Sequence, residues 1–398
     1  MAVWSSEELF YCSNVHPGDS LREVEDNVRR FISPVRVHRG LEQLQAGLWL
    51  SSVAADELVA SESRLEAFSA LLNAEGILLT SLNGFPYAGF HESVVKEKVY
   101  LPHWGQRARL DYTLKLARLL SGLMPESCVE GTVSTLPLAF ARGWSVSDQQ
   151  EAEKHLCELL LALAELEQSS GKRIRICLEM EPGCVLETTP QLIRFFTETL
   201  PAALGSYGLP AGGIERYLGV CFDICHQAVM FEDTEQSLAA IHRAGIVIGK
   251  IQVSSAMRVP DAALARDLLV HYAEPRYLHQ VSTLDGHGDQ QFCLDLADAL
   301  ANGQLPQDAE WRVHFHVPIQ SEHLDSSLLS TTREAIVDTC RFLAAHPLLK
   351  PHLEVETYTW GVLPEALTPA NDRQLINAVA EELNWLQATL DGFALMDT

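Results

Sequence analysis

Five late segments of this chain share one alternation, with every second residue apolar and the intervening ones polar or ionisable. In the first, Ile174, Ile176, Leu178 and Met180 oppose Arg175, Cys177, Glu179 and Glu181. Val220 and Phe222 then oppose Cys221 and Asp223, and Gly249, Ile251 and Val253 oppose Lys250, Gln252 and Ser254. Val313, Phe315 and Val317 oppose His314 and His316, and Leu353 and Val355 oppose Glu354 and Glu356. Successive strand residues point to opposite faces of a sheet, so each segment carries one apolar and one polar face. Amphipathic helical segments separate them. Apolar faces turned to helices, with polar faces turned to a shared interior, describe strands closed into a barrel.

Nine strand segments alternate with helices along the whole chain: 10–16, 47–51, 76–83, 129–136, 173–182, 217–226, 246–254, 311–318 and 352–358. That order predicts an α/β chain of 398 residues folded as a single (β/α)8 TIM barrel. A barrel takes eight strands, so one segment is surplus. Either the short Gly47–Ser51 segment is an irregular leg, or an extra strand is inserted in the C-terminal half near Trp311–Pro318. The stretch 260–307 reads as a long irregular insertion loop with a helix near 262–269, and loops of that length are usually functional or disordered.

The formal net charge of −24 excludes a nucleic-acid partner, because a phosphate backbone demands a basic footprint. No basic leader with an apolar run opens the sequence and no apolar stretch is long enough to span a bilayer, so a cytoplasmic protein without membrane contact is expected. The nine cysteines lack metal-finger spacing and read as reduced structural thiols.

Ionisable side chains facing a barrel interior cost several kcal/mol each unless they pair or bind a cation. Arg175 and Lys250 could anchor an internal salt-bridge network. The carboxylates and histidines outnumber them, however, and a divalent ion accounts better for the excess. Asp223 and His226, three residues apart at a strand end, suit such an ion; a helix-capping Asp beside a structural His is the alternative.

Several motifs carry a family resemblance. Glu181-Pro182, Asp223-x-x-His226 and a terminal-strand Glu356 resemble the xylose isomerase-like barrels, which include sugar isomerases, epimerases and the endonuclease IV enzymes. More narrowly, Tyr11-Cys-Ser-Asn-Val-His-Pro-Gly18, Glu130-Gly-Thr-Val-Ser-Thr-Leu-Pro137, Gly249-Lys-Ile-Gln-Val-Ser-Ser255, Val313-His-Phe-His-Val-Pro318 and Leu353-Glu-Val-Glu-Thr-Tyr-Thr-Trp360 resemble the EboE family of metabolite-traffic proteins. The resemblance implies Glu181, Asp223 and Glu356 as metal ligands, with Gln252 where relatives place His or Asp, and His316 supplying a nitrogen. Asp285-Gly-His287, with His226, resembles a second-metal set. Glu187, six residues after Glu181, matches a substrate contact of the epimerases.

His16 and Asn14 at the first strand tip are expected pocket polars. Asn83 opens an aromatic, glycine-punctuated loop that, with Trp104, is expected to wall the substrate. Lys250 and His314 complete the substrate-binding set.

The expected chemistry is isomerase or epimerase action on a sugar-like or hydroxycarbonyl metabolite. It would depend on a divalent metal (Zn, Mn or Mg), with Glu181 and Glu356 as proton-transfer groups. The alternative is a metabolite-binding or carrier barrel without turnover. An endonuclease IV-like phosphodiester hydrolase fits less well, because Asn83 and Ser134 stand where extra histidines are needed and the surface is acidic.

Overall fold

A computed structural model describes residues 3–324 and 326–397. Its centre is a closed barrel of eight parallel strands: β1 (Leu9–Cys12), β2 (Leu44–Trp49), β3 (Ile77–Asn83), β4 (Glu130–Thr135), β5 (Arg173–Glu179), β6 (Leu218–Asp223), β7 (Ile248–Val253) and, closing on β1, the late strand His352–Val355. Helices wrap the outside, making the (β/α)8 TIM barrel the alternation predicts. The apolar faces named above, such as Ile174, Ile176, Val220, Phe222 and Ile251, are fully buried between strands and helices. Local signals set the helix limits. Ser145 and Asp148 form a reciprocal cap at the start of Val146–Ser170, and Gly171 ends that helix at φ 72°.

Between β7 and the closing strand the chain builds a second, antiparallel sheet. It comprises β8 (Met257–Val259), β9 (Val281–Leu284), β10 (Gln290–Cys293), β11 (Trp311–Val313) and β12 (Ser330–Thr331), in the order β10-β9-β11-β8-β12. This settles the surplus strand. The 47–51 region belongs to barrel strand β2, and Trp311–Pro318 is not a barrel strand: β11 pairs antiparallel with β8 and β9. The closing strand, numbered β13, pairs instead with β7 and β1. The 260–307 segment carries the expected helix at Ala262–Leu269 and differs from an irregular loop in also holding the helix Leu296–Asn302 together with β9 and β10. Those strands are four residues long and largely polar, too short to show an apolar alternation.

Two close approaches fix the lower barrel. Lys250 and Glu354, both fully buried, form an ion pair at 2.9 Å. The Glu354 carboxylate fills the space beside Gly47, where a Cβ would lie 1.7 Å from Oε2, so β2 needs glycine there. No helix among the described residues is long and apolar enough to cross a membrane.

Candidate active site

The carboxyl ends of the barrel strands converge on a cavity lined by Asn14, Asn83, Glu179, Glu181, His226 and Glu356 among others, as strand ends do in barrels of this type. Asp223, the last residue of β6, uses its two carboxylate oxygens differently. Oδ1 accepts from the His226 backbone N–H and the Ser254 hydroxyl, each at 2.9 Å, which caps the helix Ile224–Val229. Oδ2 has no hydrogen-bond partner although it is completely buried. Asp223 is therefore a helix cap and an unsatisfied acid at once. Glu179, the last residue of β5, and Glu356, just past β13, bring carboxylate oxygens within 4.8 Å of Asp223 and of each other. Glu179 Oε2 is likewise without a partner. Glu356 Oε1 is anchored by Nδ2 of Asn14 at 2.7 Å and of Asn83 at 3.3 Å.

Burial pushes the Glu179 carboxyl well above the ordinary range, with Glu356 and Asp223 adding to the effect. Burial also raises Glu356, and the Asp223 charge reinforces it. Like charges this close disfavour ionisation in each other unless a cation sits among them. The interior bases are committed elsewhere: Arg175 to Glu130 at 3.0 Å and Lys250 to Glu354. The salt-bridge alternative thus accounts for both bases and leaves Glu179, Glu181, Asp223 and Glu356 uncompensated.

Three histidines stand above these acids. His226 lies in the first turn after β6, whereas His314 and His316 follow β11 in the extended segment that crosses the barrel mouth. Each has its Nδ1 proton assigned by an acceptor. His226 donates to the Met180 carbonyl at 2.7 Å and His316 to the Glu356 carbonyl at 2.8 Å. His314 faces Gln280 Oε1 at 2.6 Å, and the Gln280 amide is oriented by Nε2 donating to the Pro182 carbonyl at 3.0 Å. All three Nε2 atoms are then lone pairs. Burial lowers the His316 imidazole to about 4 and pushes His314 well below the ordinary histidine value, so both are neutral near pH 7. His316 Nε2 has no partner, and His226 Nε2 and His314 Nε2 face each other at 3.2 Å.

Glu181 completes this upper group. Two residues beyond Glu179, it lies past the end of β5 and sits with His226 and His314 within ligand reach. The Tyr100 hydroxyl donates to Glu181 Oε1 at 2.6 Å, and burial raises the carboxyl. The strand-end acid grouped with Asp223 and Glu356 is Glu179, which the sequence reading assigned to the inward face but not to the site. Tyr100, Gln280 and Ser254 were also absent from the expected site residues, whereas Asn14 was expected as a pocket polar and lines the cavity. Tyr100 ends the short 3-10 helix Lys96–Tyr100 and Gln280 arrives from a loop, neither with a sequence mark.

Other expected residues lie elsewhere. Gln252 sits in register with Asp223 and Glu354, fully buried, with neither amide atom partnered. Asn83 lines the cavity. Trp104 does not, since its ring is in the main core and Nε1 donates to Thr135 Oγ1 at 3.2 Å. His16 packs on Phe31, ring centres 3.9 Å apart, and meets the Tyr11 hydroxyl. Lys250 is spent on Glu354 below the cavity. Glu187, half-buried, accepts from the Gly183 N–H at 3.0 Å and does not line the cavity. Asp285 and His287 occupy the β9–β10 turn, where Asp285 Oδ1 accepts from the His287 and Asp289 amides. His287 is exposed there and the pair does not join His226; a polar hairpin turn holds Asp-Gly by local hydrogen bonding.

Scans against family models and against curated proteins return no match. Solved structures do match. A D-tagatose 3-epimerase-like protein aligns over 96% of this chain and 98% of its own, with TM-score 0.50 and 12% identity. The IolI protein, solved with a zinc atom bound, aligns over 97% and 98%, with TM-score 0.45 and 11% identity. At such identities the likeness is one of fold, and the shared fold is the (β/α)8 barrel.

Proposed function

We propose that this protein is a divalent-metal-dependent isomerase or epimerase of a hydroxycarbonyl metabolite, of the EboE type. One observation carries the reading: four buried carboxylates and three buried imidazoles converge at the barrel mouth with no basic side chain, among the described residues, left to balance them. The donor set fits a borderline divalent ion such as zinc or manganese. Glu179, Asp223 and Glu356 would hold it, with His316 and the free amide of Gln252 adjacent. Glu181, His226 and His314 form a neighbouring set for a second ion, replacing the expected Asp285 and His287. A bound divalent ion supplies polarisation of the substrate's carbonyl and neighbouring hydroxyl oxygens.

The chain's own groups handle the protons. Glu181 lines the cavity with a raised affinity for protons, and Tyr100 fixes its orientation. It takes the proton from the carbon beside the carbonyl. Glu356, held by Asn14 and Asn83, faces the same cavity from another strand and returns a proton. The aromatic wall over the cavity excludes water, which strengthens each electrostatic contact within it. The test is metal content together with activity. Purified protein should contain zinc or manganese and interconvert hydroxycarbonyl isomers, and Glu181→Gln should lose turnover while retaining the ion held by Glu179, Asp223 and Glu356. Protein that neither contains nor takes up a divalent ion would overturn the reading.

A metabolite-binding barrel without turnover is the second reading. Gln252, a neutral amide where a stronger ligand is expected, is the observation in its favour; tight capture of a metabolite that is never converted would be its signature.

A further inference from the structure

The cavity is divided chemically, and the division constrains the substrate. At the floor stand the acids and imidazoles described above. The remaining wall is carbon, built from Phe85, Phe90, Val95, Val99, Tyr277 and Leu278. Phe90, Tyr277 and Tyr358 pack edge to face or tilted, with ring centres 5.1–5.4 Å apart. This aromatic group runs down to the floor, because Tyr358 lies 4.6 Å from the His316 ring.

The polar side chains near the wall are already committed. Lys96 Nζ meets Asp295 at 2.5 Å and the Glu274 carbonyl at 3.5 Å. Asn14 and Asn83 hold Glu356, and Tyr100 holds Glu181. Apart from the acids and imidazoles, the polar side-chain groups that remain among the described lining residues are Asn14 Oδ1 at the floor and the Tyr277 and Tyr358 hydroxyls on the wall. A hexulose brings six oxygens. The floor engages two or three, and the others would face carbon. Each buried hydroxyl without a partner costs about 1–3 kcal/mol, so a free sugar fits this cavity poorly. An aromatic ring covers the same wall with favourable stacking.

We infer that the substrate is an aromatic hydroxycarbonyl compound rather than a polyhydroxylated sugar: the oxygens of one end meet the floor and a flat apolar body lies against Phe90 and Tyr277. This rests on the proposed hydroxycarbonyl chemistry and names its substrate class.

The experiment compares two α-hydroxyketones, 2-hydroxyacetophenone and D-fructose, by calorimetric titration into manganese-supplemented protein. Metal content is measured on the same samples. The aromatic probe should bind at least about tenfold tighter, a factor worth about 1.4 kcal/mol. Phe90→Ala should abolish that preference without changing metal content. Fructose binding as tightly as 2-hydroxyacetophenone in the unaltered protein would overturn the inference, whatever the variant does. So would a Phe90→Ala protein that keeps the preference. Absence of metal would instead sink the metal-dependent reading, while the ratio of the two affinities still decides the substrate class.

Discussion

Nε2 of His226 and Nε2 of His314 lie 3.2 Å apart, with both Nδ1 protons donated away from the contact. One ring stands on the first turn after β6 and the other on a segment 88 residues later. Two imidazole nitrogens that both present lone pairs repel at this separation unless a cation lies between them. His314→Ala should therefore lose one equivalent of bound metal and keep the ion held by Glu179, Asp223 and Glu356. Metal analysis by mass spectrometry, with the absorption spectrum of the cobalt-substituted protein, checks this. An unchanged stoichiometry would remove His314 from the ligand set.

The two glutamates at the end of β5 should separate by function. Glu179→Gln removes a charge from the set containing Asp223 and Glu356, and should weaken metal binding at least about tenfold, as loss of ligand-sphere groups does. Glu181→Gln should leave that ion in place and depress kcat, with little change in its affinity. Competition with a chromogenic chelator measures the first effect and steady-state kinetics the second.

Gly47→Ala tests the lower barrel. The added methyl would occupy the position of the Glu354 carboxylate, forcing it away from Lys250. Leaving one partner of a buried pair uncompensated costs about 3–5 kcal/mol. Urea denaturation of the variant should show a loss of that size, although the substituted position makes no contribution to the cavity.

Glu382 gives a stability signature in pH. Burial raises its carboxyl to about 7, although Thr357, the Ile319 amide and Trp360 all donate to it. A carboxyl with a raised folded pKa holds its proton longer in the folded state. Its stabilisation is fully present below the unfolded value of about 4.5 and is lost as pH rises through 7, a change of about 3 kcal/mol. Unfolding free energies of wild type and Glu382→Gln, measured from pH 4.5 to 8, should show this fall in the wild type and a flatter profile in the variant.

Much of the architecture is local and therefore legible. The period-2 alternation in 173–182, 217–226, 246–254 and 352–358 identifies inward and outward faces without reference to any partner strand, and those faces are the ones observed. The same alternation in 311–318 reads identically, yet its residues belong to an insertion. A strand's pattern records that one face is polar and enclosed, not which neighbour encloses it. For the same reason His314 and His316 were legible as inward-facing groups, while their approach from above the mouth was not.

Register and loop path were decided only by the fold. Glu179 and Glu181 share a face and a charge; the end of β5 pairing, at Glu179 opposite Cys221, sets them on different levels of the site. Asp285 and His287 carry the residue types of a metal pair, but the hairpin they turn points them at solvent. Gln280, from a loop, and Tyr100, from a short 3-10 helix, lie in sequences that mark no function, and together they orient His314 and Glu181. By itself the sequence determined the barrel, the polarity of its interior and the inward position of Asp223 at a strand end, because face alternation is encoded residue by residue. Tertiary structure decided which acids and imidazoles meet, because that depends on pairings and chain crossings between segments up to hundreds of residues apart.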